Sequence, residues 1–165
     1  MGDTEGRVYE MKIRKYKKTD LKEAANLISR TFREFNSSGG TREGVNDYIE
    51  RYNPKEKNLS QIQKEFARTS IFYVAVEKNK ILGLIRGKPS KLGNLFVDGK
   101  YHRKNIGRKL VSRFEEEVKK KKSKLIKVSA SLYSVPFYEK VGYKKTTGVR
   151  DIHGLKTQPM KKRIK

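Results

Sequence analysis

The chain has 165 residues, 35% of them hydrophobic and 36% charged. That length can enclose a core, and the apolar residues cluster in a way that favours folding over disorder. The absence of cysteine excludes a disulfide scaffold, a thiolate metal site and a cysteine nucleophile, and two histidines, His102 and His153, argue against a histidine-rich metal centre. Lys plus Arg number 41 against 18 Asp plus Glu, a formal net charge of +23. Such a field attracts nucleic acid, anionic membranes or phosphate-rich cofactors, unless the lysines, spread along the whole chain, simply fill solvated faces. No apolar run nears the ~20 residues of a membrane span, and Met1 to Glu10 has no apolar core like that of a signal peptide, so a cytoplasmic protein is expected.

In chain order, residues 8 to 14 alternate as a strand does, with Val8 or Tyr9, Met11 and Ile13 as its strand positions. Thr19 and Asp20 offer an N-cap, and Glu23 completes a capping box with Asp20. Leu21, Ala24, Ala25, Ile28, Phe32 and Phe35 then paint one face of a helix over about 20–35. After the break SSGGT, Val45, Tyr48, Ile49 and Tyr52, and then Leu59, Ile62 and Phe66, are two helix-like sets separated by Asn53-Pro54.

Ile71 to Val76 is a continuous apolar run expected of a buried strand. A turn at 77–80, a strand Ile81 to Ile85, a second turn and a strand Leu92 to Val97 extend it into an antiparallel meander. Residues 98–107, DGKYHRKNIG, are a basic loop opening onto a helix with Ile106, Leu110, Val111, Phe114 and Val118 on one face and Lys119 to Lys122 at its C-terminal end. Leu125 to Ala130 is the next strand, and strand, crossover helix and strand in this order predict a right-handed parallel unit. Val135-Pro136 starts a short helix that Gly142 stops. Strand-like pieces at Tyr143 to Val149 and roughly Ile152 to Ile164 close the chain.

The strongest local feature is the strand, basic loop and helix N-terminus around residue 105. Backbone N–H groups at such a terminus are unpaired and partly positive. His102, Arg103, Lys104, Arg108 and Lys109 surround them with charge, and Gly107 admits a close approach. An anion such as a pyrophosphate suits this place, although solvated basic residues and a packing glycine would read alike. The P-loop pattern GxxxxGK[ST] is absent.

The run LFVDGKYHRKNIGRKLV, followed by KVSASLYSVPFYEKVGYKKT, resembles the GCN5-related N-acetyltransferase (GNAT) family, strongly over residues 71–145 and weakly over the first strand, the first helix and the ending GLKTQPMKK. The resemblance implies an α/β (α+β mixed-sheet) fold. An antiparallel meander and a parallel strand pair would splay around acetyl-CoA, flanked by helices, in a single domain over 1–165. It implies that Leu95, Phe96 and Val97 bind the pantetheine arm like an added strand, with an N–H near Val97 polarising the thioester carbonyl. The loop His102, Arg103, Lys104, Asn105, Ile106, Gly107 and Arg108 would cradle the pyrophosphate. Ser131 stands where an asparagine is common, seven residues before the tyrosine, and counts with the cofactor-binding set. Tyr138 would protonate the leaving thiolate; read without the family, it is an apolar-face residue of a short helix. Phe137 would pack or meet the adenine side, and Lys140 would contact phosphate.

Two positions depart from the family's loop pattern: His102 replaces its leading Arg or Gln, and Asn105 its first glycine. His102 can still donate a hydrogen bond, and Asn105 tolerates left-handed backbone angles, so cofactor binding is expected to survive. The glutamate that members acetylating protein N-termini carry in the strand 125–130 is missing, with Ile126 near its place. The general base is not singled out among Glu34, Asp47 and His153. Residues 36–68 resemble the acceptor-binding segment, and Glu34, Glu43, Asp47 and Glu50 could make its mouth acidic. The expected activity is transfer of acetyl from acetyl-CoA to a primary amine by direct attack in a ternary complex. The alternative is a basic nucleic-acid- or ribosome-associated module with a GNAT-like fold. A homodimer is compatible with the resemblance, and no membrane partner or metal is expected.

Overall fold

The computed structural model describes residues 10–102 and 104–165. Val8, Tyr9 and Arg103 therefore lie outside the described residues. The elements are β1 (Lys12–Lys15), α1 (Leu21–Asn36), α2 (Arg42–Arg51), α3 (Leu59–Ala67), β2 (Ile71–Glu77), β3 (Lys80–Lys88), β4 (Lys91–Val97), α4 (Ile106–Lys120), β5 (Leu125–Ser131), α5 (Val135–Lys140), β6 (Lys144–Lys145), β7 (Arg150–Ile152) and β8 (Leu155–Arg163). The strands form one sheet in the order β1-β2-β3-β4-β5-β8-β6, with β7 also on β8. All pairings are antiparallel except β4 with β5. That one parallel step is the crossover through α4, as the alternation of apolar patterns predicts.

Helix α4 covers one face of the sheet. Its Leu110, Phe114 and Val118 are fully buried with Ile71, Tyr73, Leu92, Ile126 and Val128. Burying a side chain the size of Phe114 contributes on the order of 2–3 kcal/mol. Helices α1 and α3 cover the other face over β2 and β3, where Leu27, Ile28, Ile62 and Phe66 meet Phe72, Val74 and Leu84. The β2–β3 hairpin turns on Lys78 and Asn79, both at positive φ (51° and 61°), the paired left-handed geometry of a tight hairpin.

Three expectations are corrected. The Asp20–Glu23 capping box does not form: Asp20 accepts from the Lys17 N–H (2.8 Å) and from Arg14 (2.8 and 3.0 Å), while Glu23 accepts from the Ile81 N–H (3.0 Å). Donors from β1, from the residues just before α1 and from β3 occupy the two carboxylates. Strand β3 continues past Ile85 to Lys88, because Arg86 is buried under α3 instead of ending the apolar run in solvent. The piece 143–149 contracts to the two-residue β6, and the strand expected over 152–164 is instead the second arm of a hairpin, β7–β8, over 150–163, turning at His153 and Gly154, both at positive φ.

Candidate active site

The parallel pair is short. Strands β4 and β5 are in register only at Lys91↔Lys127 and Leu92↔Val128. The β3–β4 ladder steps from Gly87↔Leu92 to Arg86↔Asn94, so Gly93 is an extra residue in β4. A bulge of this kind bends and twists the strand that carries it. Beyond it β4 stays with β3 and β5 stays with β8, but no ladder joins β4 to β5. The backbone from Asn94 to Val97 thus borders a wedge whose other wall is Ser129 to Ser131.

The loop leaving β4 is anchored at Asp98. Its N–H donates to the Leu82 carbonyl (2.8 Å), and its carboxylate accepts from the Lys100 N–H (3.0 Å) and the Arg30 guanidinium (2.9 Å). Burial pushes this carboxyl up, but the Lys100 N–H and Arg30 outweigh it and hold it below the usual aspartate range. Asn105 takes the left-handed conformation (φ 63°, ψ 15°), the conformation that makes asparagine an acceptable substitute for glycine there. Its side chain does not cap α4. The first-turn amides of Ile106, Gly107 and Arg108 accordingly have no intrahelical partner, and the exposed Lys104, Arg108 and Lys109 stand beside them. Lys104 lies over the Tyr101 ring, 5.6 Å from its centre. A Cβ on Gly107 would come within 3.2 Å of the Phe137 ring and 3.8 Å of Val97. The glycine lets the end of β4, the start of α4 and α5 close together, and the Phe137 ring is the neighbour that needs the space.

His102 is turned inward. Its Nε2 lies 2.8 Å from the Val97 carbonyl oxygen, and its ring stacks on Phe35 at the end of α1 (4.6 Å between centres). Phe35 stacks in turn on Tyr133, in the turn after β5 (5.1 Å). Three aromatic rings thus bridge the two walls of the wedge through α1. Sequence reasoning missed this stack, since its members are far apart in the chain.

Tyr138 is 4% exposed and sits in the α4-side core, with its ring against the edges of Phe137 and Tyr143. Its hydroxyl has no hydrogen-bond partner among the described residues. The solvent-sealed, unpartnered side-chain oxygens among the described residues are Asn36 Oδ1 and Thr157 Oγ1. Burial pushes its pKa above the ordinary phenol value, keeping the proton on. A clamp holds the helix: the Tyr143 hydroxyl donates to Glu115 (2.9 Å), and Lys162 donates to Glu115 (2.9 Å) and to the Val141 carbonyl (2.8 Å). Gly142 (φ 98°) ends α5, with the Tyr143 N–H donating back to the Tyr138 carbonyl (2.9 Å). Ser131 exchanges a hydrogen bond with Ser134 (2.9 Å) at the end of β5.

On the α1–α2 side, Gly40 bridges to Leu155, and the Thr41 N–H donates to the Gly154 carbonyl (2.8 Å). This docks the segment after α1 onto the β7–β8 turn. Asn36 closes α1, and Thr157 lies opposite Ser131 across the β5–β8 ladder. Beneath them, Arg86 donates to Asn94 (2.7 Å), to the Glu65 carbonyl (3.1 Å) and to the Tyr52 hydroxyl (3.1 Å), and Asn94 donates to the Tyr48 hydroxyl (3.1 Å). The only sequence signal for this network is an arginine inside a strand-like run. Of the acidic residues, Glu34, Glu43 and Asp47 are exposed, whereas Glu50 binds Asn58 and lies within 4 Å of Lys55 and Lys57, holding the start of α3. His153 is exposed on the β7–β8 turn.

Comparison with known proteins bears on this arrangement. A family model described as "Acetyltransferase (GNAT) domain" matches residues 38–164. A search of curated protein sequences finds no match. Among solved structures, a GCN5-related N-acetyltransferase from Rhodopseudomonas palustris superposes with a TM-score of 0.78 at 17% identity, over 95% of this chain and 98% of that one. The PaiA N-acetyltransferase of Thermoplasma acidophilum, solved with coenzyme A, gives 0.71 at 24% identity, over 93% and 99%. An aminoglycoside 6'-N-acetyltransferase, also solved with coenzyme A, gives 0.65 at 18% identity, over 93% and 97%. The mixed sheet with one splayed parallel pair is the fold these proteins share, and the chain belongs to the GNAT acetyltransferase family.

Proposed function

We propose that the chain transfers an acetyl group from acetyl-CoA to a primary amine within a ternary complex. The observation that carries this reading is the early parting of β4 from β5 beside the uncapped start of α4. Two properties of the site support it as a CoA site: the freed β4 backbone and the unpaired first-turn amides with the cations around them.

Leu95, Phe96 and Val97 offer backbone groups to the amides of a pantetheine arm, as an added strand would receive them. Lys104, Asn105, Ile106, Gly107 and Arg108 offer amides and charge to a diphosphate, and Arg103 belongs to the same set by its place in the chain. Ser131 lines the opposite wall. His102 contributes by holding the Val97 carbonyl, which fixes where the strand end presents its neighbouring N–H. Bound acetyl-CoA supplies a thioester carbonyl for the amine to attack; the new N–C bond forms, the C–S bond breaks, the amine nitrogen gives up a proton to solvent, and the thiolate takes one. Tyr138, kept protonated by its burial and without a hydrogen-bond partner for its hydroxyl among the described residues, would give that proton. The acceptor enters from the mouth between the end of α1 and the start of β8.

The test is calorimetric titration with CoA, followed by an assay of free thiol release from acetyl-CoA over a panel of small amines, aminoglycosides, amino acids and peptides. One-to-one CoA binding with thiol release for at least one amine is expected. Failure to bind CoA, or binding with no thiol released for any amine, overturns the reading.

A further inference from the structure

The sheet carries a row of five lysines in direct register. Lys88 pairs with Lys91, Lys91 with Lys127, Lys127 with Lys161, and Lys161 with Lys144, crossing β3, β4, β5, β8 and β6 in turn. Residues directly opposite in a sheet put their side chains on one face. Here it is the face away from α4, because the neighbours of the next row, Leu92, Val128 and Met160, are the ones buried beneath that helix. All five lysines are exposed. None forms a salt bridge with a carboxylate among the described residues. Arg163 lies two residues beyond Lys161 on the same face of β8, and Lys119 to Lys122 end α4 at the same edge of the sheet. Strands lie about 4.8 Å apart, so the row spans roughly 19 Å.

Like charges directly opposite one another destabilise a sheet. Carboxylates face some of the chain's other cations, as at Arg14–Asp20, Arg30–Asp98 and Lys162–Glu115. The row has no such partners among the described residues, which leaves it open to a counter-charge from outside. We infer that this face docks the phosphate backbone of duplex nucleic acid. Charge complementarity selects a polyanion. A duplex is favoured over a single strand because the exposed large apolar residues among the described ones, Leu132, Tyr133, Val149 and Ile152, belong to none of the row's five strands, and stacking of unpaired bases needs aromatic side chains. Contact to phosphates alone is independent of sequence. The row is also remote from the wedge: at about 3.3 Å per residue, Lys91 lies roughly 20 Å along β4 from Val97. The docking face and the proposed acetyl-transfer site therefore do not share residues.

The experiment is fluorescence anisotropy with a labelled mixed-sequence DNA duplex of roughly 20 base pairs, titrated from about 20 to about 200 mM salt. The variant Lys91→Gln/Lys127→Gln/Lys161→Gln is compared with Lys12→Gln/Lys18→Gln/Lys22→Gln, which removes the same charge from exposed positions on β1, the turn before α1 and α1. A duplex RNA, a single strand and phosphatidylserine vesicles are run beside the DNA. The native chain is expected to bind the duplexes at low salt, and the row variant to lower the slope of log affinity against log salt by about 3, with the control variant near the native slope. The row variant should keep or raise its thermal midpoint, since it relieves repulsion, and that reading separates lost docking from lost folding. Equal losses in the two variants, no duplex binding at low salt, or tighter binding to vesicles or single strands than to duplexes overturns the inference.

Discussion

His102 Nε2 and the Val97 carbonyl oxygen lie 2.8 Å apart, so a side chain of the loop before α4 holds the last residue of β4. In the family's pattern this position is an Arg or Gln. Here the imidazole, stacked on Phe35, ties loop, strand end and α1 together.

This tie makes His102 a positioning residue with a testable signature. His102→Ala removes one hydrogen bond and one ring contact and should weaken CoA binding by about tenfold. His102→Gln, which can donate an amide N–H to the same carbonyl, should recover most of that loss. Calorimetry with CoA on both variants, with their thermal midpoints, checks the point. Equal weakening in Ala and Gln would mean that the ring itself matters, and no weakening in either would remove His102 from the site.

Tyr138 makes a different forecast. Tyr138→Phe keeps the ring packed against Phe137 and Tyr143 and removes only a hydroxyl that lacks a partner among the described residues. kcat for the responsive amine should fall by about 10²-fold, while KM for acetyl-CoA changes little. The pH profile adds a sign. Burial raises this phenol above the ordinary pKa, so its acid form persists as pH rises. No descending limb belonging to Tyr138 should appear below about pH 10. An unchanged kcat in the Phe variant would take the residue out of the chemistry.

What could be read in the sequence, and what could not, divides along physical lines. The loop before Ile106, the left-handed Asn105, the short helix stopped at Gly142 and the parallel crossover are local matters of backbone and periodicity, and each stands where the pattern puts it. The Asp20–Glu23 cap failed because Arg14 and the Ile81 amide compete for those carboxylates from other elements. The His102–Phe35–Tyr133 stack and the Arg86 network join residues tens of positions apart, and no local period encodes such meetings. The bulge at Gly93, which opens the wedge, is one residue of register, too small a feature for an apolar pattern to display. The lysine row shows only once the register of five strands is known.

Two carboxylates set the chain's acid limit. Asp98 beside Arg30 and the Lys100 N–H, and Asp20 beside Arg14 and the Lys17 N–H, are each raised by burial but brought below the usual range by those partners. In both, the folded pKa is the lower one, so the unfolded chain takes up protons first. Their stabilisation is complete above the ordinary aspartate pKa near 4 and is lost as pH falls through the folded values. Urea midpoints should therefore drop between about pH 5 and about pH 2. Asp20→Asn/Asp98→Asn should be less stable than the native chain at neutral pH and should lose less on acidification. A native-like acid slope in that variant would place the acid sensitivity elsewhere.

Gly107 and Phe137 give a forecast with a built-in rescue. A methyl at position 107 would stand 3.2 Å from the Phe137 ring, tighter than ordinary contact, and Phe137 is the neighbour of Tyr138 on the same short helix. Gly107→Ala should push α5 outward, destabilise by about 1–3 kcal/mol and lower kcat with it. Phe137→Leu removes the ring edge that the methyl meets. In the double variant the loss should be smaller than the sum of the single ones, a coupling of about 0.5–3 kcal/mol measurable by urea denaturation. If the methyl instead acts only by blocking the approach of a diphosphate to the first turn of α4, the single Gly107→Ala variant will weaken CoA binding at unchanged stability, and Phe137→Leu will restore nothing. The two outcomes separate a glycine kept for packing from one kept for its ligand.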